Sequence, residues 1–94
     1  MTCGGTNPDT GTPTYSFTSG FLTTRASQGR PQRFAFTKGY AEAAIRLPRG
    51  NAYWAGFWHT GGRGAPAWPA YGEFDTMEQV GAYPDSVIQT LHYR

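Results

Sequence analysis

The chain has 94 residues, with eight Lys and Arg against six Asp and Glu for a formal charge of +2. The basic residues (Arg25, Arg30, Arg33, Lys38, Arg46, Arg49, Arg63 and Arg94) are scattered, unlike a phosphate-binding surface, which argues against a nucleic-acid partner. A lone cysteine, Cys3, excludes an internal disulfide and a Cys/His zinc site, and no apolar stretch has membrane-spanning length.

Apolar residues make up only 38%, yet aromatic residues reach 16%, beside 13 Gly and 7 Pro. That mixture predicts short strands and tight loops in one domain, or part of one, with a modest core. Residues 1–14 (MTCGGTNPDTGTPT) read as a loop or frayed terminus and lack the basic-then-apolar order of a signal peptide. Residues 15–25 (YSFTSGFLTTR) predict strand, a break near Ser19 and Gly20, then strand. Residues 26–32 read as a loop and 33–36 as another short strand.

Residues 39–47 (GYAEAAIRL) favour helix by propensity, but Gly39 and Pro48 bound them closely. Their alternation puts Ala41, Ala43, Ile45 and Leu47 on one face and Tyr40, Glu42, Ala44 and Arg46 on the other. This predicts a strand with one buried face. Residues 48–51 form a turn, and 53–58 (YWAGFW) a strand with Trp54, Gly56 and Trp58 on one face. Residues 59–69 read as a Gly/Pro loop carrying Trp68, with His59 at the surface. The Gly-Gly-Arg-Gly run at 61–64 lacks the Lys-Ser/Thr ending of a phosphate loop. A strand over 71–81, a turn at 82–85 and a last strand over 86–93 complete the chain. It stops directly after that strand, where a further pairing partner is expected.

The segment 71–81 (YGEFDTMEQVG) holds three of the six acidic residues. Side chains alternate along a strand, so Glu73 and Asp75 share a face and Glu78 falls on the other. One extra residue near Thr76 and Met77, a β-bulge, would bring Glu78 onto the face of Glu73 and Asp75. Paired carboxylates roughly 5–5.5 Å apart are what a retaining glycosidase needs, one as nucleophile and one as acid/base. Alternate residues on a strand supply that spacing, although carboxylates on a strand are more often a solvated face.

Glu73-Phe74-Asp75-Thr76-Met77-Glu78 resembles the ExDxxE signature of glycoside hydrolase family 16. Residues 36–48 resemble the strand ahead of the catalytic one, 53–58 its Trp-rich strand, and 68–72 (WPAYG) the lead-in to the signature. Thr90-Leu91-His92 resembles the next strand with its active-site His, and 19–24 fits an earlier strand. The resemblance covers residues 15–94 and implies an all-β, concanavalin-like jelly-roll sandwich, incomplete here, with a concave sugar-binding cleft. It implies Glu73 as nucleophile, Glu78 as general acid/base and Asp75 as the group that tunes their protonation. It places Trp58, Trp68, Glu42 and His92 against substrate. The bulged signature and the Trp-Pro lead-in look most like the β-1,3-glucanase (laminarinase) branch. Ala44 stands where some members carry a basic residue, and Tyr40 replaces a common Arg, so substrate details depart from the pattern.

The reading is therefore a partial catalytic domain over 1–94 of an extracellular endo-β-glucanase. It cuts a β-1,3- or mixed β-1,3/1,4-glucan, needs no cofactor or metal for chemistry, and has no nucleic-acid or membrane partner. Other readings remain beside it. Glu42 suits a surface ion pair with Arg46 as well as a sugar hydroxyl. The Trp residues suit packing as well as stacking. The whole chain suits a non-catalytic glucan-binding protein or an inactive fragment, although binding alone does not require three crowded carboxylates.

Overall fold

In the computed structural model the described residues are 4–6, 13–15, 19–26, 29–62 and 67–94. They contain five β-strands and no helix. The chain divides into two units, residues 1–33 and 34–94.

In the first unit β1 (Gly4–Thr6) pairs antiparallel with β2 (Pro13–Tyr15), with Gly5 opposite Thr14. The expected loop over 1–14 is thus partly a two-stranded ribbon. Its Gly and Thr content hid it, because strand formation here rests on backbone pairing and not on apolar alternation. Pro13 ends the ladder opposite Thr6, the place in a sheet where a missing N–H is tolerated. The expected strands over 15–25 and 33–36 do not form beyond Tyr15 among the described residues; 16–18 lie outside them. Around 24–33 the backbone closes instead through Arg33 N–H donating to the Thr24 carbonyl at 2.8 Å.

The second unit is built on a three-stranded antiparallel sheet in chain order, β3 (Trp54–Thr60), β4 (Glu73–Val80) and β5 (Ile88–His92). Each matches an expected strand, but β3 runs on through His59 and Thr60, which the sequence assigned to the loop. The β3–β4 ladder is extended by Gly61 N–H to the Gly72 carbonyl at one end and Gly81 N–H to the Tyr53 carbonyl at the other. Turns form near the expected ones but shifted by a residue or two: Tyr53 N–H closes on the Gly50 carbonyl, Tyr83 N–H on the Val80 carbonyl and Ser86 N–H on the Tyr83 carbonyl. After residue 67, Gly72 N–H donates to the Pro69 carbonyl and delivers the chain into β4.

Residues 39–47 form no strand, which corrects the sequence reading. An extended segment becomes a strand only by pairing its N–H and C=O groups with a neighbour, and no described residue does so here. Ala41, Ala43, Ile45 and Leu47 line an open hollow whose other wall is Phe57, Thr76 and Met77, but Glu42 of the other expected face lines it too and the expected burial of one face does not occur: only Leu47 is even half-buried. The segment lies over one face of the sheet without joining it.

No described hydrophobic side chain is fully buried. The most enclosed side chains are polar, Asp75 at 5% and Gln79 at 4% exposure, both on the central strand. Asp75 faces the side of Trp54 and Trp58, and Gln79 the opposite side, beside Ala55. Gln79 Oε1 finds no hydrogen-bond partner among the described residues.

Gly81 shows how tightly the sheet end is closed. A Cβ there would collide with the backbone carbonyl of Gly50, which no rotamer change can relieve. Gly81→Ala should destabilise the unit by about 1–3 kcal/mol, the range for overpacking, measured as a lowered urea midpoint at unchanged slope.

Candidate active site

The register of β4 explains how three carboxylates meet. From Val80 to Met77, β4 pairs residue by residue with β3, ending with Met77 opposite Phe57. The next pair is Asp75 with Trp58, so Thr76 has no partner on β3. On the other side, Asp75 pairs with Thr90 and Glu78 with Ile88, three steps along β4 against two along β5. Both neighbours therefore locate one extra residue between Asp75 and Glu78, the bulge the sequence predicted.

The consequence follows from period two. On β3, Gly56, Trp58 and Thr60 share a face, and their partners are Glu78, Asp75 and Glu73. On β5, Ile88, Thr90 and His92 share a face, and their partners are again Glu78, Asp75 and Glu73. The bulge thus turns Glu78 onto the face of the other two carboxylates. Trp54, two residues before Gly56, lies on the same face.

Hydrogen bonds tie the cluster together. The Trp54 indole Nε1–H donates to Glu78 Oε1 at 2.9 Å. His92 Nε2 lies 3.1 Å from Asp75 Oδ2, a contact in which the imidazole must donate to an ionised carboxylate. Burying a carboxylate costs several kcal/mol unless it is hydrogen-bonded, so this bond lets Asp75 sit at the centre of the sheet. The His92 ring is in turn packed by Trp68, centroids 5.4 Å apart and tilted by 50°. Glu73, Asp75 and His92 each present a ligand atom within 4.8 Å of the others, a spacing a cation can use. The Asp75–His92 bond already accounts for two of those three groups.

The structure therefore brings together Glu73, Asp75, Glu78, Trp58 and His92, with Trp68 against His92. Glu42 is not among them. It lines the hollow with Phe57 and Met77, on the opposite face, and accepts a 2.8 Å hydrogen bond from the Tyr40 hydroxyl. Trp54 is the residue that sequence reasoning underused: its shared parity with Trp58 was the available signal, and its bond to Glu78 is a tertiary fact. His59 is not a plain surface residue. It is half-buried on the opposite face, against Phe36, Phe57 and Phe74.

The chain is 40% identical over 78 residues to an endo-1,3-1,4-beta-glycanase, EglC, of Rhizobium meliloti, with 83% of the chain and 15% of that protein covered. It is 38% identical over 79 residues to a beta-glucanase of Rhodothermus marinus, covering 81% of the chain and 26% of that protein. It is 34% identical over 95 residues to a glucan endo-1,3-beta-glucosidase of Cryptopygus antarcticus, covering 95% and 28%. The chain is a homologue of glucanases. It spans only 15% to 28% of the length of these relatives. No protein-family profile matches the chain, and no solved structure does.

Removing the imidazole would leave Asp75 enclosed without a partner. His92→Ala should cost about 1–3 kcal/mol, the penalty for orphaning a buried polar group. His92→Gln, which keeps a donor, should recover most of it, as read by urea unfolding of the two variants side by side.

Proposed function

We propose that the chain carries the catalytic strand of a retaining endo-β-glucanase of glycoside hydrolase family 16, acting on β-1,3- or mixed β-1,3/1,4-glucan. The observation that carries this reading is the one-residue bulge, which collects Glu73, Asp75 and Glu78 on a single aromatic-flanked face. The three relatives named as glucanases support it.

In this mechanism Glu73 attacks the anomeric carbon while Glu78 donates its proton to the departing glycosidic oxygen. The C–O bond breaks, and the sugar is held as an ester of Glu73. Glu78, now ionised, takes a proton from water, which displaces Glu73 and restores the starting stereochemistry. The Trp54 bond fixes one Glu78 oxygen and leaves the other for proton transfer. Asp75, anchored by His92, stands between the two glutamates on the strand face. Trp58 and Trp68, 40% and 54% exposed, offer ring faces to successive sugar units. The chemistry draws on carboxylates and water alone.

The sheet leaves Trp54 and Trp58 exposed on one face and Phe74 and Leu91 on the other. A second β-layer against the latter face would complete a jelly-roll sandwich and leave the carboxylate face as the cleft. A polysaccharide too large to enter cells calls for an extracellular protein.

The test is sugar release from laminarin and from a mixed-linkage glucan by the purified chain, with the anomer of the first product read by proton NMR. Release of the β-anomer is expected. Glu73→Gln should lower the rate by at least about 10³-fold, because it removes the nucleophile, and Glu78→Gln by about 10²–10⁴-fold. Release that survives Glu73→Gln would sink the assignment. Glucan retention without release would make the chain a binding module.

A further inference from the structure

The bulge does not hold itself. A β-bulge leaves its extra residue outside the ladder, with polar groups that need other partners. Here that residue is Thr76, and its side-chain hydroxyl and its carbonyl both have partners from the face opposite the carboxylates. The Thr76 hydroxyl lies 3.2 Å from His59 Nδ1, and Gln89 Nε2–H donates to the Thr76 carbonyl at 2.9 Å. His59 comes from β3 and Gln89 from β5, so the extra residue is gripped from both neighbouring strands. The His59 ring is itself fixed by three aromatic neighbours. Phe57 and Phe36 meet it edge-on, with centroids 5.1 and 5.8 Å away, and Phe74 stacks at 6.4 Å.

We propose that His59 is a positioning residue for the carboxylate face: by holding the Thr76 hydroxyl from behind the sheet, with Gln89 on the carbonyl, it fixes the bulge that turns Glu78 toward Glu73 and Asp75. The location of the extra residue matters more than its existence. A bulge that slipped past Glu78 would restore plain alternation between Asp75 and Glu78 and return Glu78 to the back face. Thr76 is the one residue of the 75–78 stretch whose side chain and carbonyl both have cross-strand partners on that side. The hydrogen bond works with either imidazole tautomer, since the hydroxyl can donate to Nδ1 or accept from it. Among the described residues the His59 contacts are with Thr76, Phe36, Phe57 and Phe74, so it acts through the backbone of β4.

The Trp54 indole reports on this directly, because its N–H is bonded to Glu78. The chain has three Trp residues, so its ¹H–¹⁵N indole spectrum has three signals, and Trp54→Phe assigns one by deletion. In His59→Leu and Thr76→Val the Trp54 signal should move toward the position of an unbonded indole. His59→Asn, whose amide can occupy the Nδ1 position, should restore it. The rate prediction alone rests on the glucanase reading: His59→Leu should lower kcat by about 10²-fold with KM within about twofold, as for an approximately 1 Å misplacement. A Trp54 signal unchanged in folded His59→Leu and Thr76→Val would overturn the proposal. If all three signals collapse in His59→Leu, the volume-conserving Thr76→Val decides, moving the Trp54 signal alone or refuting the clamp. A Trp54 signal that moves while kcat stays constant would uphold the clamp and instead refute Glu78 as the acid/base.

Discussion

One extra residue in a central strand organises this structure. A β-strand has a side-chain period of two, and five positions separate Glu73 from Glu78, so a regular strand must place them on opposite faces. The bulge at Thr76 removes that conflict by adding a residue that neither β3 nor β5 counts. The place of Glu78 on that face depends on it. Without the phase change the Trp54 indole would have no Glu78 carboxylate to bond, and Asp75 would share its face with one glutamate instead of two.

The two faces of the sheet then divide the work. One carries carboxylates, Trp54, Trp58 and His92, and is built from hydrogen bonds between side chains. The other carries Phe57, His59, Phe74 and Gln89, and holds the backbone irregularity in place. A site on the middle strand of a sheet is positioned by ladders on both sides, so its groups are set more exactly than loop residues would be. The burial pattern matches this. The most enclosed side chains are Asp75 and Gln79, and polar burial without partners is expensive. Hydrogen bonding to His92 therefore does for Asp75 what apolar packing does in an ordinary core.

The similarity to three glucanases covers most of this chain but at most 28% of theirs. Most of each relative therefore lies outside the region of similarity.

The sequence determined a good deal by itself. Alternation and aromatic content marked β3, β4 and β5, and the turns at 48–51 and 82–85 were legible from Pro, Gly and Asp. The phase conflict between Asp75 and Glu78 raised a bulge as one way to gather the three carboxylates, which spacing by itself did not require. Alternation also marked 39–47 as strand, against its helical propensity, and there it misled: strand formation depends on a pairing partner elsewhere in the chain. The β1–β2 ribbon was missed for the converse reason, since its pairing owes nothing to apolar pattern. Only the tertiary structure decided which side chains meet across strands. It put Glu42 behind the sheet, brought Trp54 onto Glu78, and set His59 under Thr76. Those pairings join residues as many as 24 positions apart, and register between strands is fixed by the assembled ladder, not by any local stretch of sequence.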